Sequence, residues 1–103
     1  MRKRLRVDRE ADDEIAGGIE WYEAQRPGLG HDFLGAIRDA MHSLRAPGPE
    51  CRAAVGVPIR LGVRRKLVKQ FPYVILFVEL DAFVRVIAVA HVGRRPGYWR
   101  SRI

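Results

Sequence analysis

Hydrophobic and polar positions along the 103-residue chain change period several times. Arg4-Leu5-Arg6-Val7 alternates polar and apolar, the period of a short strand. Ala11, Ile15, Ile19 and Tyr22 then recur at spacings of four, four and three, which places them on one face of a helix running to about Ala24. Asp8 stands where its carboxylate can cap that helix, and Glu10, Asp12, Asp13 and Glu14 suit a positive helix N-terminus. Gly17 and Gly18 oppose the pattern, since each costs roughly 1 kcal/mol against Ala in a helix interior. Close approach of another helix would account for them. Arg26-Pro27-Gly28-Leu29-Gly30 turns the chain. A second helix is predicted from His31 or Asp32, with Phe33, Leu34, Ile37, Met41 and Leu44 on its apolar face and its end before Pro47-Gly48-Pro49. The two helices form an antiparallel hairpin.

The segment from Ala46 to Pro58 reads as loop, with three prolines and two glycines in thirteen residues. A strand is predicted from about Ile59, with Leu61, Val63 and Leu67 on one side and Arg60, Arg64 and Lys66 on the other. Arg65 interrupts its apolar side. Gln70-Phe71-Pro72 ends it. Two short apolar runs, Val74–Val78 and Val84–Ala90, read as buried strands joined by a turn at Glu79-Leu80-Asp81-Ala82. The order is β-α-α-β-β-β in a single domain, residues 1–103. The fold class is α+β: an antiparallel sheet of about four strands with a helical hairpin packed on one face.

Composition adds a bias of charge. The chain is 48% hydrophobic and 30% charged, ordinary for a folded domain, but its net charge is +7. That favours acidic partners such as nucleic acid or an acidic protein. Seven acids and one base lie between Asp8 and Glu23, five bases and no acid between Arg60 and Lys69, and four arginines and no acid in the last ten residues. The lone Cys51 forms no internal disulfide, excludes a cysteine-cluster metal site and points to the cytoplasm. In a Pro/Gly-rich loop it is an incidental thiol rather than a nucleophile. No apolar run has signal-peptide or membrane-spanning length. Neither a metal nor a cofactor is expected.

Two local motifs sharpen this outline: Phe71-Pro72-Tyr73 leading into an apolar strand, and His91-x-x-Arg94-x-Pro96-x-x-Trp99 after the last one. With the Arg26–Gly30 turn and Phe33-Leu34 behind it, the chain resembles the RelE/ParE superfamily of bacterial type II toxins from about Leu5 to Arg100. The resemblance implies a small toxin neutralised by a cognate acidic antitoxin. Some members of that family cleave messenger RNA on the ribosome, whereas the ParE branch, associated with plasmid stabilisation, poisons DNA gyrase.

Metal-free RNA cleavage needs a base, an acid and several cations. Candidates are His91 as acid or base, with Arg65 and Arg94 around the phosphate. Lys66, Lys69 and Arg95 add phosphate-binding charge, and Tyr98 and Trp99 offer rings for base stacking. Each has an ordinary structural use as well: His91 bonded to neighbouring backbone, Trp99 and Pro96 folding the tail onto the sheet, Arg65 paired with a helix carboxylate. Ribonuclease members commonly carry an arginine directly after the leading aromatic of the third strand. Here that position is Val74, and Val74–Val78 holds no cation. This departure favours the ParE-like reading: a toxin that inhibits by binding, gyrase first, through Arg60, Arg64, Arg65, Lys66, Lys69, Arg94, Arg95, Tyr98, Trp99 and Arg100. A ribosome-dependent mRNA endoribonuclease is one alternative. Another is a non-toxic basic module acting only within an antitoxin complex on operator DNA. The antitoxin is expected to lay an acidic helix or extended segment near the helix hairpin.

Overall fold

A computed structural model describes residues 2–103. The chain runs β1 (Arg4–Val7), α1 (Arg9–Gln25), α2 (Leu29–Ser43), β2 (Arg52–Ala53), β3 (Val63–Leu67), β4 (Tyr73–Glu79) and β5 (Phe83–His91). Single turns of 3-10 helix stand at Ile59–Leu61 and Arg100–Arg102.

The predicted α+β plan with a helix hairpin on one sheet face is present, but the sheet has five strands in the order β1-β5-β4-β3-β2. Hairpin connections make β3, β4 and β5 antiparallel neighbours. The two intervening helices free β1 from that constraint, and it pairs parallel with β5, Arg4 opposite Phe83 through Val7 opposite Val86. The sheet is therefore mixed rather than wholly antiparallel. The fifth strand is the two-residue β2, paired with Arg64 and Arg65 inside a segment that reads as loop.

β5 is the central element, and its composition fits that place. Val84, Val86 and Val89 face the helices, where they meet Ala11, Tyr22, Phe33, Ile37, Leu44, Ile75 and Phe77. A bulge opposite Leu76 and Phe77 inserts Ile87 and shifts the alternation. Ile87, Ala88 and Ala90 then face the other side with Leu76, Val63, Ala54 and Trp99. The continuous apolar run of β5 thus reflects burial on both faces. The covering layer on the second face is the C-terminal tail, residues 92–103.

Both helices carry the predicted apolar faces except for Leu34, which lies outside the core, and α2 starts earlier, at Leu29. Gly18 explains one half of the glycine pair. A Cβ there would lie 2.6 Å from Cε2 of Phe33, whereas one on Gly17 meets nothing within 4 Å. Gly28 caps α2 in the left-handed region, φ 90°. The carboxylate of Glu23 accepts the N–H groups of Gly28 (3.0 Å) and Gly30 (3.0 Å), so the end of one helix caps the start of the next.

Three local expectations are corrected. Asp8 is the N-cap residue of α1, but its carboxylate makes no capping bond; it accepts the Arg85 guanidinium instead, at 2.7 Å. The strand predicted from Ile59 begins only at Val63, because Gly62 closes a 3-10 turn with φ 71°. Ile59, outside the strand, is 82% exposed, and Leu67, at its far end, is 64% exposed. Cys51 is not a loose loop thiol: its side chain is buried in the helix-side core, and burial pushes its pKa up.

Candidate functional site

The tail leaves β5 at His91 and descends the sheet in successive turns, with Arg94 N–H donating to His91 O and Tyr98 N–H to Arg95 O. Trp99 anchors it. Its ring is 3% exposed and packs within the tail-side cluster. Burial of a side chain this large stabilises by several kcal/mol. Gly56 and Gly97, both at positive φ, bring the loop and tail backbones together beside Pro96. Trp99 and Pro96 thus fold the tail onto the sheet.

A second anchor lies at the open edge of β5. β1 pairs only with residues 83–86, so β5 beyond Val86 has no strand neighbour on that side. Backbone groups there need other partners. Glu14 of α1 accepts the Val89 N–H at 3.0 Å, the Arg102 guanidinium at 2.9 Å and the Tyr98 hydroxyl. Arg102 also donates to Ile87 O at 3.2 Å, and Asp8 N–H to Val86 O at 2.9 Å. One carboxylate therefore ties helix, strand edge and tail together. Burial, reinforced by the bond to Glu14, raises the Tyr98 pKa. The bond to Glu14 likewise raises that of Arg102.

Between tail and sheet lies a cleft of about 210 Å³ bordered by Arg65, His91, Arg94, Arg95, Tyr98 and Trp99. Strand alternation decides which cations reach it. Arg65 pairs with Leu76 on the tail side, away from every helix carboxylate. His91 stands edge-on to Tyr73, ring centroids 5.4 Å apart, and its Nδ1 accepts the Gly93 N–H at 2.9 Å. In the neutral ring that acceptor leaves the proton on Nε2. The Arg94 guanidinium lies 3.9 Å from the centroid of the Tyr98 ring. The cleft can hold an anion between guanidinium groups. Tyr98 is half-buried and Trp99 buried, so neither presents a free ring face.

The remaining predicted residues are dispersed. Arg64 turns to the helix side, donating to Gly48 O (2.8 Å) and Cys51 O (3.1 Å) and reaching Glu79 at 3.4 Å. Lys66 meets Glu50 at 3.5 Å. Lys66 and Lys69 border a separate groove of about 570 Å³ between α2 and the end of β3. Arg60 is exposed in the 3-10 turn, and Arg100 borders a third hollow beside Leu61 and Val78. Sequence reading missed Glu14, Asp8, Arg85 and Arg102. The one signal was their charge beside strongly apolar neighbours, which does not reveal pairings across 77 to 88 residues. Among the described residues no group of acids, histidines and cysteine is placed to hold a metal ion, and no helix is long and apolar enough to cross a membrane.

No protein-family profile and no curated protein matches this sequence. Among solved structures, a chain of a chromosomal ParDE toxin–antitoxin system from P. aeruginosa superposes with a TM-score of 0.73. The match covers 87% of this chain and 96% of that one at 15% identity. The two share a fold.

Proposed function

We propose that this chain is the toxin of a type II toxin–antitoxin module, ParE-like in action, working in the cytoplasm by binding an essential machine. DNA gyrase is the first candidate. The observation that carries the reading is the fold shared with the ParDE chain over nearly its whole length. The uncharged strand Val74–Val78 adds to it, because phosphate chemistry at the sheet centre would want a cation there. The exposed arginines of the tail, with Arg60 and Arg65, make the target contacts. Purified protein should block supercoiling by gyrase at stoichiometric ratios; full supercoiling with toxin in excess would refute it.

One observation favours a second reading. The cleft draws together Arg65, His91 and Arg94, the three residues an RNA-cleaving site would use. In that case translated messages show new 5′ ends by primer extension, and His91→Ala abolishes them. Under either reading the cognate antitoxin lays an acidic segment in the groove between α2 and β3, where Lys66 exchanges Glu50 for the partner's carboxylate. Normal growth on expressing soluble protein alone would instead favour a non-toxic module acting on operator DNA only within the antitoxin complex.

A further inference from the structure

Among the described residues, most acids lie on the two helices, beside the unpaired Arg9 and Arg38, whereas the tail side gathers unpaired arginines with almost no acid among them. Eight of the twelve acids lie on α1 and α2. Of the other four, Asp8, Glu50 and Glu79 are paired with Arg85, Lys66 and the Lys3–Arg64 couple, and Asp81 sits in the β4–β5 turn. The tail side is different. Leu5 and Val7 pack toward the helices, so Arg4 and Arg6 project the other way, and the Arg6 guanidinium lies 4.2 Å from the centroid of the Phe83 ring. Arg65, Arg94 and Arg95 border the cleft, and Arg100 the hollow next to it. Among the described residues none of these six is within ion-pair distance of a carboxylate. Arg52, opposite Arg65 on the edge strand β2, shares this face and is likewise unpaired, whereas Arg85 and Arg102 are already neutralised by Asp8 and Glu14.

Every unpaired cation on this face is arginine, whose planar fork matches phosphate oxygens. The large aromatic rings of this face are engaged: Trp99 is buried, the Arg94 and Arg102 guanidiniums lie 3.9 and 5.2 Å from the Tyr98 centroid, and Arg6 lies 4.2 Å from that of Phe83, which leaves only the small imidazole of His91 exposed. Single strands are gripped chiefly by stacking of bases on aromatic rings. Side-chain amides that read adenine are also missing. The chain has no asparagine, and its two glutamines, Gln25 and Gln70, belong to the end of α1 and the helix-side groove. Guanidinium donors can also meet 2′-hydroxyls, so duplex RNA of the same length is the competitor that the titration has to set aside.

We propose that this arginine face binds the phosphate backbone of duplex DNA directly, without sequence preference and without a second protein. The longest dimension of the molecule, 41 Å, spans about 12 base pairs at roughly 3.4 Å each. Binding is independent of the toxin reading, since it requires neither gyrase, ribosome nor antitoxin.

The test is a fluorescence-anisotropy titration of the purified chain on a labelled 20-base-pair DNA of arbitrary sequence, between 50 and 200 mM KCl. With about five phosphates neutralised, log affinity should fall against log salt with a slope near −4.5. The double variants Arg4→Gln/Arg6→Gln and Arg94→Gln/Arg95→Gln, on separate elements, should each flatten the slope by about 1.8. Lys66→Gln/Lys69→Gln, in the helix-side groove, should leave it unchanged. Absence of saturable binding at 50 mM overturns the proposal. So does an equal effect from the lysine pair, or tighter binding to single-stranded or duplex RNA of the same length. A chain that arrests supercoiling but fails this titration retains the toxin reading and loses this one.

Discussion

Glu14 shows how one side chain can hold a fold together at a place where its sheet is incomplete. Its carboxylate and the Arg102 guanidinium are each about four-fifths buried, at 16% and 17% exposure. Removing one partner of such a pair leaves the other charged, desolvated and unmatched. Glu14→Ala should therefore cost about 3 kcal/mol in urea unfolding, well above the cost of losing an exposed ion pair such as Arg26–Asp32. Tyr98 adds a pH dependence of definite sign. Its folded-state pKa lies above the ordinary 10.0 because burial and the bond to Glu14 oppose ionisation. The unfolded chain thus releases this proton first. Stability is intact below about pH 10 and falls as pH climbs toward the folded value. Tyr98→Phe should flatten the loss of urea midpoint between about pH 9.5 and 11. An unchanged slope would assign the titration to the other buried phenols, Tyr22 and Tyr73, whose pKa values burial also raises.

At the scale of elements, the two adjacent glycines of α1 give opposite predictions. Gly18→Ala forces a methyl into the Phe33 ring and should destabilise by about 1–3 kcal/mol. Gly17→Ala enters open space and should stabilise by roughly 1 kcal/mol, since a helical glycine gains rigidity there. Thermal melting of the pair decides both. The sequence discloses that a helix approaches this region, and not which glycine it meets, because i and i+1 lie 100° apart on a helix whose rotation is set by packing. The helix hairpin, β4, β5 and their turn were all legible, since their periods and breakers are local signals. β2 was not, because two residues carry no period. The start of β3 was masked by Ile59-Arg60-Leu61, whose alternation suits a strand until Gly62 turns it. Of the site, Arg65, His91 and Arg94 group through the chemistry RNA cleavage would need, and what decides that Arg65 faces the cleft rather than a helix carboxylate is its ladder position opposite Leu76. The closing of Trp99 against β5 depends on the bulge at Ile87, for which the unbroken apolar run Val86–Ala90 gives no sign.

For the whole molecule, the second face of the sheet makes the tail a structural layer rather than an appendage. Trp99→Ala should cost about 3–5 kcal/mol and increase binding of an apolar dye, as Leu76, Ile87 and Ala90 lose their cover. Retention of wild-type stability would mean that the arginines of the tail are carried by the turns alone. The parallel register of β1 against β5 has a further consequence, and it concerns time. β1 forms from residues 4–7, yet its partner spans residues 83–86, and the carboxylate of Glu14 waits for residues 98 and 102. Contacts so distant along the chain slow folding, because loop-closure entropy must be overcome before they form. During synthesis the helix hairpin can assemble early, but the central strand, the cleft and the arginine face come into being only when the end of this sequence is available. Whatever the chain binds through those arginines, it binds only after synthesis has reached Arg102.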